Sequence, residues 1–556
     1  MSYGETEIIK IKIKIKGNMG MKSVQKKKVS TAKSRHGMVS TASARATDAG
    51  VQMLEKGGNA VDAAVAAAFC LGVTEPQASG LGGQSMALLR LRSGELIAVD
   101  GSSRAPFGLD SRNIPAQPLK LGIRATTVPS TPATLGYLLE RYGTLALRDV
   151  LEPSIIAARE GFIFSALQHK LLLREITKMD WQTAEVFKKN NRPLHAGENV
   201  IQLDLAFCLE KMADAGWLDF YQGEIASMIA KDMSERGGFI SDIDLSKVPA
   251  PVERQVLKTT YRGYNIATFP PPGAGRALVQ IMNTLENFSP EELTPDTPPY
   301  AVILAIAFRA ALMDRERSPA DPALYPQEMN KWMLDKNYAT IVAQRIKKLA
   351  AMRGVLPYAP PRTAGETTHL SVADNDGNTV GITQSVELVF GAKTVAKNLG
   401  FFYNSYMSAF DYKDILHPFY LLPGVRPWSS VAPTLVFNGE IPKFLLGSPG
   451  SERISTSLAQ VLTRVLDAEQ DLADAVAAPR LHAGSTGRVS IERERFAPEV
   501  IAALTDVDCE VSKRGAYSFY LGCVQALQLP QSPNEMFYGV SDPRRDGTAK
   551  GPKKGE

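Results

Sequence analysis

A run of prolines in the second half of the chain, Pro357-Tyr358-Ala359-Pro360-Pro361, constrains the fold more than any other feature of the sequence. Proline fixes φ and lacks the backbone N–H, so prolines at this density exclude both a helix and a central strand. Before this run, over residues 132–349, helical patterns prevail. After it, residues alternate as they do in strands. The chain is therefore predicted to have two parts joined by a loose linker.

The start of the second part is predicted to form a β-hairpin. Residues 368–373 alternate, Asp374-Asn375-Asp376-Gly377-Asn378 is a strong turn signal, and residues 380–386 form the returning strand. The whole region from about residue 367 to residue 529 is predicted to be rich in strands, with one helix over residues 455–466.

The first part is predicted to begin with a strand and two helices. A strand over residues 37–43 precedes helical patterns over residues 44–56 and 60–70, which Gly57 and Gly58 separate and Asn59 caps. The following elements are a glycine-rich loop over residues 79–83, strands over residues 86–91 and 96–100, and a turn at Pro270-Pro271-Pro272-Gly273.

The composition is that of an ordinary globular protein. The 556 residues are 44% hydrophobic and 22% charged, and the formal net charge is +5. This length suits three or four domains or one large fold. The small net charge indicates no nucleic-acid partner. The four cysteines and six histidines lack metal-ligand spacing, so neither a metal nor another cofactor is predicted.

The two ends of the chain are predicted to lie outside the fold. Residues 8–16 alternate Ile and Lys, so residues 1–33 are predicted to be a disordered or added leader. The charged residues 542–556 are predicted to be frayed. The sequence contains no apolar run of membrane-spanning length and no apolar core of a signal peptide, so a cytoplasmic protein without a membrane partner is predicted.

A series of short motifs runs through the chain in order and covers roughly residues 36–547. In the first part the motifs are Lys56-Gly57-Gly58-Asn59-Ala60-Val61-Asp62-Ala63-Ala64, Glu75-Pro76, Ser79-Gly80-Leu81-Gly82-Gly83, Val128-Pro129, Tyr142-Gly143-Thr144-Leu145, Ala158-Arg159-Glu160-Gly161-Phe162, Tyr261-Arg262-Gly263-Tyr264 and Pro270-Pro271-Pro272. In the second part they are Gly365-Glu366-Thr367-Thr368-His369-Leu370-Ser371-Val372, Phe390-Gly391, Ser429-Ser430, Ala432-Pro433-Thr434, Gly447-Ser448-Pro449-Gly450, Ala478-Pro479-Arg480-Leu481-His482 and Asp542-Pro543-Arg544. Each motif alone is weak, but the ordered series resembles the γ-glutamyltransferase family.

The resemblance implies a fold and a maturation step. Members of this family are α/β proteins that fold as four-layer αββα sandwiches of the N-terminal-nucleophile hydrolase type, with a largely helical part in the large-subunit segment. Their precursor is cut into a large and a small subunit that stay packed together. Here residues 34–366 correspond to the large subunit and residues 367–556 to the small one. Whether processed units assemble into a homo-oligomer stays open.

The resemblance also implies a nucleophile, Thr367, and a cut between Glu366 and Thr367. From the sequence alone, a threonine pair at the start of a strand is better explained as β-branched residues that favour a strand, and only the resemblance reverses this interpretation. A threonine hydroxyl is a weak nucleophile and needs a nearby base. The cut supplies one, because the free α-amine of Thr367 has a reference pKa of about 7.7–8.0 and lies on the same residue.

Three further residues are implied to support the reaction. Ser385 aligns with a hydroxyl residue of the family and lies on the partner strand of the hairpin, within reach of Thr367. Gly450 and Ser451 align with two consecutive glycines whose N–H groups form the oxyanion hole of the family. A serine can replace the second glycine unless that position requires a positive φ.

The acyl-binding positions depart from the family pattern. The family binds the α-carboxylate of a γ-glutamyl group through an arginine and a serine pair, and the ammonium through an aspartate. Ser429 and Ser430 keep the serine pair. Ser102 stands at the arginine position, and Arg104 lies two residues further on. Ala409 stands at the aspartate position and cannot bind an ammonium group. The further candidates for substrate binding are Tyr406 of the same segment and two acids, Asp411 and Glu387.

Three functions fit this pattern. The first is a threonine hydrolase or transferase that passes a γ-glutamyl or similar acyl group to water or to an amine. The second is an acylase of the glutaryl or cephalosporin type, or a small-amide hydrolase, because an acyl group with a carboxylate and no amine suits the retained residues. The third is a non-catalytic member of the family. Nucleotide binding at Gly80–Gly83 is disfavoured, since no Lys-Ser or Lys-Thr pair follows.

Overall fold

The strands of the protein come from both predicted parts of the chain. The computed structural model describes residues 27–109, 117–318, 321–325, 327–352 and 365–553, so the proline run and the alternating Ile-Lys stretch lie outside it. In the described part the strands are β1 (Ser30–Ser34), β2 (Gly37–Thr41), β3 (Gln84–Arg90), β4 (Leu96–Gly101), β5 (Phe162–Ile163), β6 (Lys188–Lys189), β7 (Arg192–Pro193), β8 (Asn199–Val200), β9 (Val252–Arg254), β10 (Leu257–Tyr261), β11 (Tyr264–Thr268), β12 (Glu366–Asp374), β13 (Thr379–Glu387), β14 (Thr434–Asn438), β15 (Ile441–Gly447), β16 (Leu481–Ala483), β17 (Arg488–Glu492), β18 (Glu510–Arg514), β19 (Gln525–Gln528), β20 (Phe537–Ser541) and β21 (Thr548–Lys550).

Most strands belong to two large antiparallel sheets. One sheet has the order β1-β20-β19-β15-β14-β11-β10, and the other has the order β21-β2-β12-β13-β3-β4-β9. The sheets pack face to face through apolar side chains, among them Met38 and Leu88 from the second sheet and Leu435, Leu445 and Leu527 from the first. Each sheet therefore contains strands from both predicted parts, and the fold is one unit.

A layer of helices covers the outer face of each sheet. The helices are α1 (Ala44–Glu55), α2 (Ala60–Thr74), α3 (Thr131–Tyr142), α4 (Leu147–Glu160), α5 (Ala166–Glu175), α6 (Trp181–Val186), α7 (Leu203–Ala215), α8 (Asp219–Gln222), α9 (Glu224–Arg236), α10 (Asp242–Ser246), α11 (Gly275–Leu285), α12 (Pro298–Glu316), α13 (Lys336–Met352), α14 (Arg453–Leu466), α15 (Leu472–Ala477) and α16 (Pro498–Asp506). Helices α1, α2 and α3 pack on the sheet that contains β12, and α4 packs on the outer side of α2. Helices α11, α14 and α15 pack on the other sheet, and α12 packs against α11. The predicted αββα sandwich is confirmed.

Helix α2 shows how local sequence supports this arrangement. The Asn59 side chain accepts hydrogen bonds from the N–H groups of Val61 (2.8 Å) and Asp62 (3.2 Å), and the Asp62 carboxylate accepts one from the Asn59 N–H (2.8 Å). This capping box starts the helix. The helix then runs to Thr74, beyond the predicted end at residue 70, because its apolar residues are buried on nearly all sides. It packs on the β12–β13 hairpin, where Gln384 Nε2 donates to the Ala68 carbonyl (2.8 Å).

The ends of the chain correct two sequence predictions. Ser30–Ser34 forms β1 and pairs with β20, so the predicted leader ends before Ser30. The predicted fraying from residue 542 is wrong, because Thr548–Lys550 forms β21 beside β2. In addition, the Asp542 carboxylate is buried within 2.6 Å of Arg480 Nη2. Strand pairing and buried ion pairs between distant residues hold both ends.

The predicted hairpin and the helix that follows it are present and differ slightly in extent. The hairpin runs from Glu366 to Glu387, and the helix predicted over residues 455–466 spans Arg453–Leu466. Helices α15 and α16, which the strand-rich prediction missed, follow it. Within the described residues, every helix falls short of the length and apolarity that crossing a membrane requires.

Candidate active site

Thr367 lies at an irregularity near the start of β12. Glu366 pairs with Glu387, and Thr368 pairs with Gln384, so the register shifts between them. One residue, Thr367, therefore faces two residues of β13, and this bulge removes it from the regular ladder. The side chain stays largely buried, with 6% of the residue exposed. The extra residue of the bulge lies on β13, so Ser385 and Val386 both stand opposite Thr367.

The Ser385 hydroxyl connects Thr367 with the peptide carbonyl that precedes it. Thr367 Oγ1 donates to Ser385 Oγ (3.4 Å), and Ser385 Oγ donates to the Glu366 carbonyl oxygen (2.5 Å). The Glu387 N–H donates to Ser385 Oγ (2.9 Å) and fixes its position. A hydroxyl donor at the carbonyl withdraws electron density from the carbon beside Thr367 Oγ1. The predicted proximity of Ser385 to Thr367 is therefore present.

Gly450 and Ser451 form the loop that leads into α14. Both have positive φ angles, +121° at Gly450 and +54° at Ser451. Their carbonyls accept from the N–H groups of Arg453 and Ile454, each at 3.0 Å. Among the described residues, no acceptor bonds to the N–H of Gly450 or Ser451. Two adjacent free N–H groups in such a loop can receive an anion.

The same loop lies beside the segment that precedes Thr367. Arg453, the first residue of α14, donates through Nη2 to the Gly365 carbonyl (3.3 Å).

Ser451, which stands where the family has its second glycine, adopts the left-handed backbone conformation. This conformation costs a residue with a side chain about 1–2 kcal/mol. The sequence argument allowed serine at this position only if φ was not positive. The observed φ of +54° does not meet that condition, so Ser451 occupies a conformation that favours glycine.

Ser429 and Ser430 lie on the segment that precedes β14 and contact the turn that precedes α11. The Ser429 N–H donates to the Pro272 carbonyl (3.1 Å). Arg315 donates to the Ser429 carbonyl (2.5 Å) and to Ser430 Oγ (3.4 Å). From α14, Ser455 Oγ donates to the Ala274 carbonyl of the same turn (3.5 Å). The serine pair is thus connected to the helix that starts at the Gly450–Ser451 loop.

Ser102 and Arg104 have different surroundings. Ser102 Oγ donates to Asp100 Oδ1 (2.5 Å), so this hydroxyl is already used. Arg104 is half-buried, and burial lowers its pKa, with neighbouring Arg426 adding to this and Asp321 and Asp100 opposing it. Arg104 therefore lies among both arginines and acids, and it keeps its positive charge because arginine stays protonated in proteins.

Tyr406 contacts the nucleophile region, whereas Ala409 contributes no polar group. Burial raises the pKa of the Tyr406 phenol; the Glu387 carboxylate adds to this, and hydrogen bonds with Ser385 and Gln84 oppose it. Glu387 also lies close to Gly365, where an added Cβ would be 3.2 Å from Glu387 Oε1. The other acid, Asp411, accepts from the N–H groups of residues 413 (2.9 Å) and 414 (2.8 Å) and so closes a turn.

Gln84 is a residue of this region that the sequence argument missed. It pairs with Ser385 across β3 and β13. Its Oε1 accepts from the N–H (2.8 Å) and the hydroxyl (3.0 Å) of Ser103, the neighbour of Arg104. Its side chain also lies beside the Tyr406 phenol. No local sequence signal marks this glutamine, because only the register between two strands distant in sequence places it beside Ser385.

The fold and this arrangement define a class of protein. Two stacked antiparallel sheets lie between helical layers, and a buried threonine stands at the start of a central strand with a hydroxyl partner on the next strand. This is the architecture of N-terminal-nucleophile hydrolases, whose nucleophile becomes the first residue of a cut chain.

Comparison with known proteins identifies the family. The family model described as gamma-glutamyltranspeptidase matches residues 46–551. The chain is 33% identical over 535 residues to the glutathione hydrolase proenzyme of Escherichia coli (strain K12), covering 92% of this chain and 91% of that protein. It is 32% identical over 488 residues to the acylase ACY 1 proenzyme of Pseudomonas sp. (strain V22), covering 84% and 85%.

A solved structure agrees with these relatives. The cephalosporin acylase from Bacillus halodurans superposes with a TM-score of 0.86 at 26% identity, over 98% of this chain and 100% of that one. The chain belongs to the γ-glutamyltranspeptidase family. The predicted family, fold and enzyme class are confirmed: this is an autoprocessing hydrolase or transferase.

Proposed function

We propose that the chain cuts its own peptide bond between Glu366 and Thr367 and then uses Thr367 as its catalytic nucleophile. The hydrogen-bonded chain from Thr367 Oγ1 through Ser385 Oγ to the Glu366 carbonyl carries this proposal. It aligns the hydroxyl of one residue with the carbonyl of the residue before it. Ser385 acts as the electrophilic donor for that carbonyl.

Self-cleavage proceeds by an acyl shift from nitrogen to oxygen. Thr367 Oγ1 attacks the Glu366 carbonyl carbon, the hydroxyl proton passes to the α-nitrogen of Thr367, and the carbon–nitrogen bond breaks. An ester then joins Glu366 to Thr367 Oγ1. Water hydrolyses this ester, which leaves a carboxylate on Glu366 and both a free amine and a free hydroxyl on Thr367.

Turnover repeats the chemistry on an external amide. The α-amine of Thr367, which has a reference pKa of about 7.7–8.0, accepts the hydroxyl proton as Oγ1 attacks the substrate carbonyl. The proton then goes to the leaving amine, and the acyl group stays on Thr367 until water or an acceptor amine removes it. The N–H groups of Gly450 and Ser451 stabilise the oxyanion, which their free state and their position before α14 support.

Both fragments remain part of one structure after the cut. Strands β12 and β13 belong to the small fragment, yet they lie between β2 and β3 of the large fragment. The ladder bonds and the cores on both faces of this sheet join the fragments without the peptide bond. The two fragments are thus each other's first partners.

The proposed substrate is an amide whose acyl group carries a carboxylate. Ser429 and Ser430, with Arg315 behind them and Arg104 on the neighbouring loop, supply hydroxyls and positive charge. At the position where the family has an aspartate, Ala409 offers no partner for an ammonium group. These features favour a glutaryl-like acyl group over a γ-glutamyl group. The relatives include both acylases and glutathione hydrolases, so the choice rests on the acyl-binding residues.

A specific observation keeps γ-glutamyl amides as the second candidate. The Glu387 carboxylate acts on Tyr406 and lies near Gly365, so an acid is available close to the nucleophile. If it receives the α-ammonium, the chain acts as a glutathione hydrolase does. The two candidates share the nucleophile and differ only in acyl recognition.

A denaturing gel with N-terminal sequencing tests the central proposal. Purified protein should separate into two fragments, and the smaller should begin at Thr367. The variant Thr367→Ala should stay as one uncut, inactive chain, while Thr367→Ser, which keeps a hydroxyl, should still be cut. A smaller fragment that begins elsewhere, or an active Thr367→Ala variant, would refute the assignment.

A further inference from the structure

A buried cluster of one arginine and two glutamates lies beside the cleavage site, and the proposed mechanism does not use it. Arg545 donates through Nη2 to Glu366 Oε2 (2.9 Å) and through Nη1 to Glu75 Oε1 (3.2 Å). Glu75 Oε2 accepts from Thr368 Oγ1 (2.6 Å). The residues before and after Thr367 are therefore both tied to the same Glu75–Arg545 pair.

These charged groups are almost completely shielded from water. The side chains of Arg545, Glu75 and Glu366 are 2%, 6% and 6% exposed. The Phe519 ring lies over the Arg545 guanidinium at 4.7 Å. Removing such charges from water is costly, and apolar residues of similar size often serve stability equally well. Stability alone therefore does not explain why these charges are buried here.

Its geometry constrains the scissile peptide. Glu366 is held at two points, its carbonyl oxygen by Ser385 and its carboxylate by Arg545. Thr368 is held on the other side through Glu75. Thr367 itself stands at the bulge, outside the regular ladder. Because both neighbours of Thr367 are anchored, the Glu366–Thr367 peptide cannot easily rotate and turn its carbonyl away from Thr367 Oγ1. Holding the two reacting groups in place lowers the barrier for attack by Oγ1 on this carbonyl.

We propose that Arg545, held by Glu75, is a positioning residue for self-cleavage and acts through the Glu366 carboxylate. The inference rests on the proposed cut at Glu366–Thr367. Once that bond is broken, Glu366 belongs to the outgoing chain end, so its carboxylate has no further part in the reaction. Arg545 and Glu75 then keep Thr368, and with it the start of β12, in place.

The alternative is that the ion pair merely supports β12. In that case, loss of the Glu366 charge changes stability and leaves the cleavage rate unaltered. The two roles predict different outcomes for Glu366→Gln, which keeps the size and a hydrogen-bonding oxygen but removes the charge. Glu366→Asp keeps the charge and shortens its reach, so it serves as the matched variant.

The experiment follows conversion of freshly made full-length precursor into its two fragments. Glu366→Gln should be cut about tenfold or more slowly than wild type, because a charge-assisted hydrogen bond is lost. After long incubation, the fraction that has been cut should hydrolyse an anilide substrate with kcat/KM within about twofold of wild type. The Glu366 side chain takes part only in self-cleavage, so its loss should not affect turnover. Unfolding temperatures of uncut Thr367→Ala with and without Glu366→Gln report the stability effect separately.

A pH profile supplies a second readout. Burial raises the pKa of the Glu366 carboxyl, and the negative charge of Glu75 adds to this. The positive charges of Arg545, Arg453 and Arg174 oppose the shift without cancelling it. Self-cleavage of wild type should slow as the pH falls through this raised pKa, since the protonated acid no longer forms the ion pair. Glu366→Gln should lose the part of this acid limb that Glu366 contributes, and only the part due to Glu75, whose pKa burial also raises, should remain.

The outcomes separate the two proposals. If wild type is cut before Thr367 and Glu366→Gln is cut at the wild-type rate, the positioning role is overturned and the proposed nucleophile stands. If the wild-type small fragment begins at another residue, the proposed function fails first. A combined Glu366→Gln, Arg545→Lys variant that is no slower than the slower single variant supports joint action, whereas multiplying defects contradict it.

Discussion

The residues around Thr367 lie on two adjacent strands, whereas the candidate acyl-binding residues lie on separate loops. Thr367 and Ser385 belong to one hairpin, and their distance follows from the register of β12 and β13. Arg104, Ser430 and Tyr406 come from three connections that the strands do not align. A substitution on a loop can change charge and shape without disturbing a ladder. Such an arrangement would let the acyl pocket change while the proposed hydrolytic residues are kept.

Charge sharpens the contrast between the two regions. Around the nucleophile, hydroxyls and backbone N–H groups carry out the proposed steps, and the nearby ions are paired. In the acyl region, Arg104 and Arg426 lie close together with Asp100 and Asp321 between them. Recognition there depends on how an incoming carboxylate competes with these existing pairs. Variants of the first region should therefore change rates strongly, and variants of the second should change selectivity moderately.

The largest effect is expected at the oxyanion loop. Gly450 has a φ of +121°, so Gly450→Ala or Gly450→Pro must shift the loop, and proline also removes a donor. Turnover should fall by about a hundredfold or more, as losses of oxyanion donors do. Steady-state kinetics on an anilide substrate measure the loss. Gly439→Ala, at another positive φ in the β14–β15 turn with open space around it, is the control and should keep its activity.

A somewhat smaller effect is expected at Ser385. Ser385→Ala removes the donor to the Glu366 carbonyl, and self-cleavage should slow by about a hundredfold. The time course of fragment formation on a gel gives the rate. Ser371→Ala is the matched control, since it also deletes a buried serine hydroxyl of the hairpin, one that bonds to the Gln525 carbonyl (3.2 Å) instead. Equal rates for the two variants would remove Ser385 from the mechanism.

The acyl region should show a moderate effect on selectivity. A γ-glutamyl anilide should be preferred over a glutaryl anilide by less than about tenfold, because no aspartate at position 409 forms the charged hydrogen bond of roughly 1.5–3 kcal/mol. Values of kcat/KM for both anilides test this. Ala409→Asp should raise γ-glutamyl turnover selectively, and Arg104→Ala should weaken both substrates alike.

A strong γ-glutamyl preference would instead point to Glu387. In that case, Glu387→Gln should abolish the preference, and Asp411→Asn should not, because the Asp411 carboxylate closes its own turn. The second proposed substrate class would then replace the first.

The smallest effect is expected at Ser451. Its φ of +54° strains a residue with a side chain, so Ser451→Gly should stabilise the protein by about 1 kcal/mol. Thermal unfolding of the uncut Thr367→Ala background measures this gain. Turnover of the processed variant should stay unchanged, because the proposed donor is the main chain. A large loss of activity would show that the Ser451 hydroxyl takes part.

The sequence by itself determined the local elements, and it supplied the proposed position of the nucleophile. The turn at residues 374–378 and the alternation on either side of it specify a hairpin through backbone preferences alone. The proline run marks the break before it. Asn59 and Asp62 define the start of α2 in the same local way. For Thr367, the ordered motifs supplied what periodicity lacks, because a threonine at the start of a strand has no distinguishing pattern of its own.

Only the tertiary structure decided how distant segments meet. Ser30–Ser34 and Thr548–Lys550 complete the two sheets, although the sequence suggested loose ends. Gln84 stands opposite Ser385, and Arg545 reaches Glu366, a residue 179 positions earlier in the chain. Strand register and buried charge pairing arise from packing between elements, which local propensity does not encode. The same reason separates Ser102, whose hydroxyl bonds to Asp100, from the role that its place in the sequence suggested.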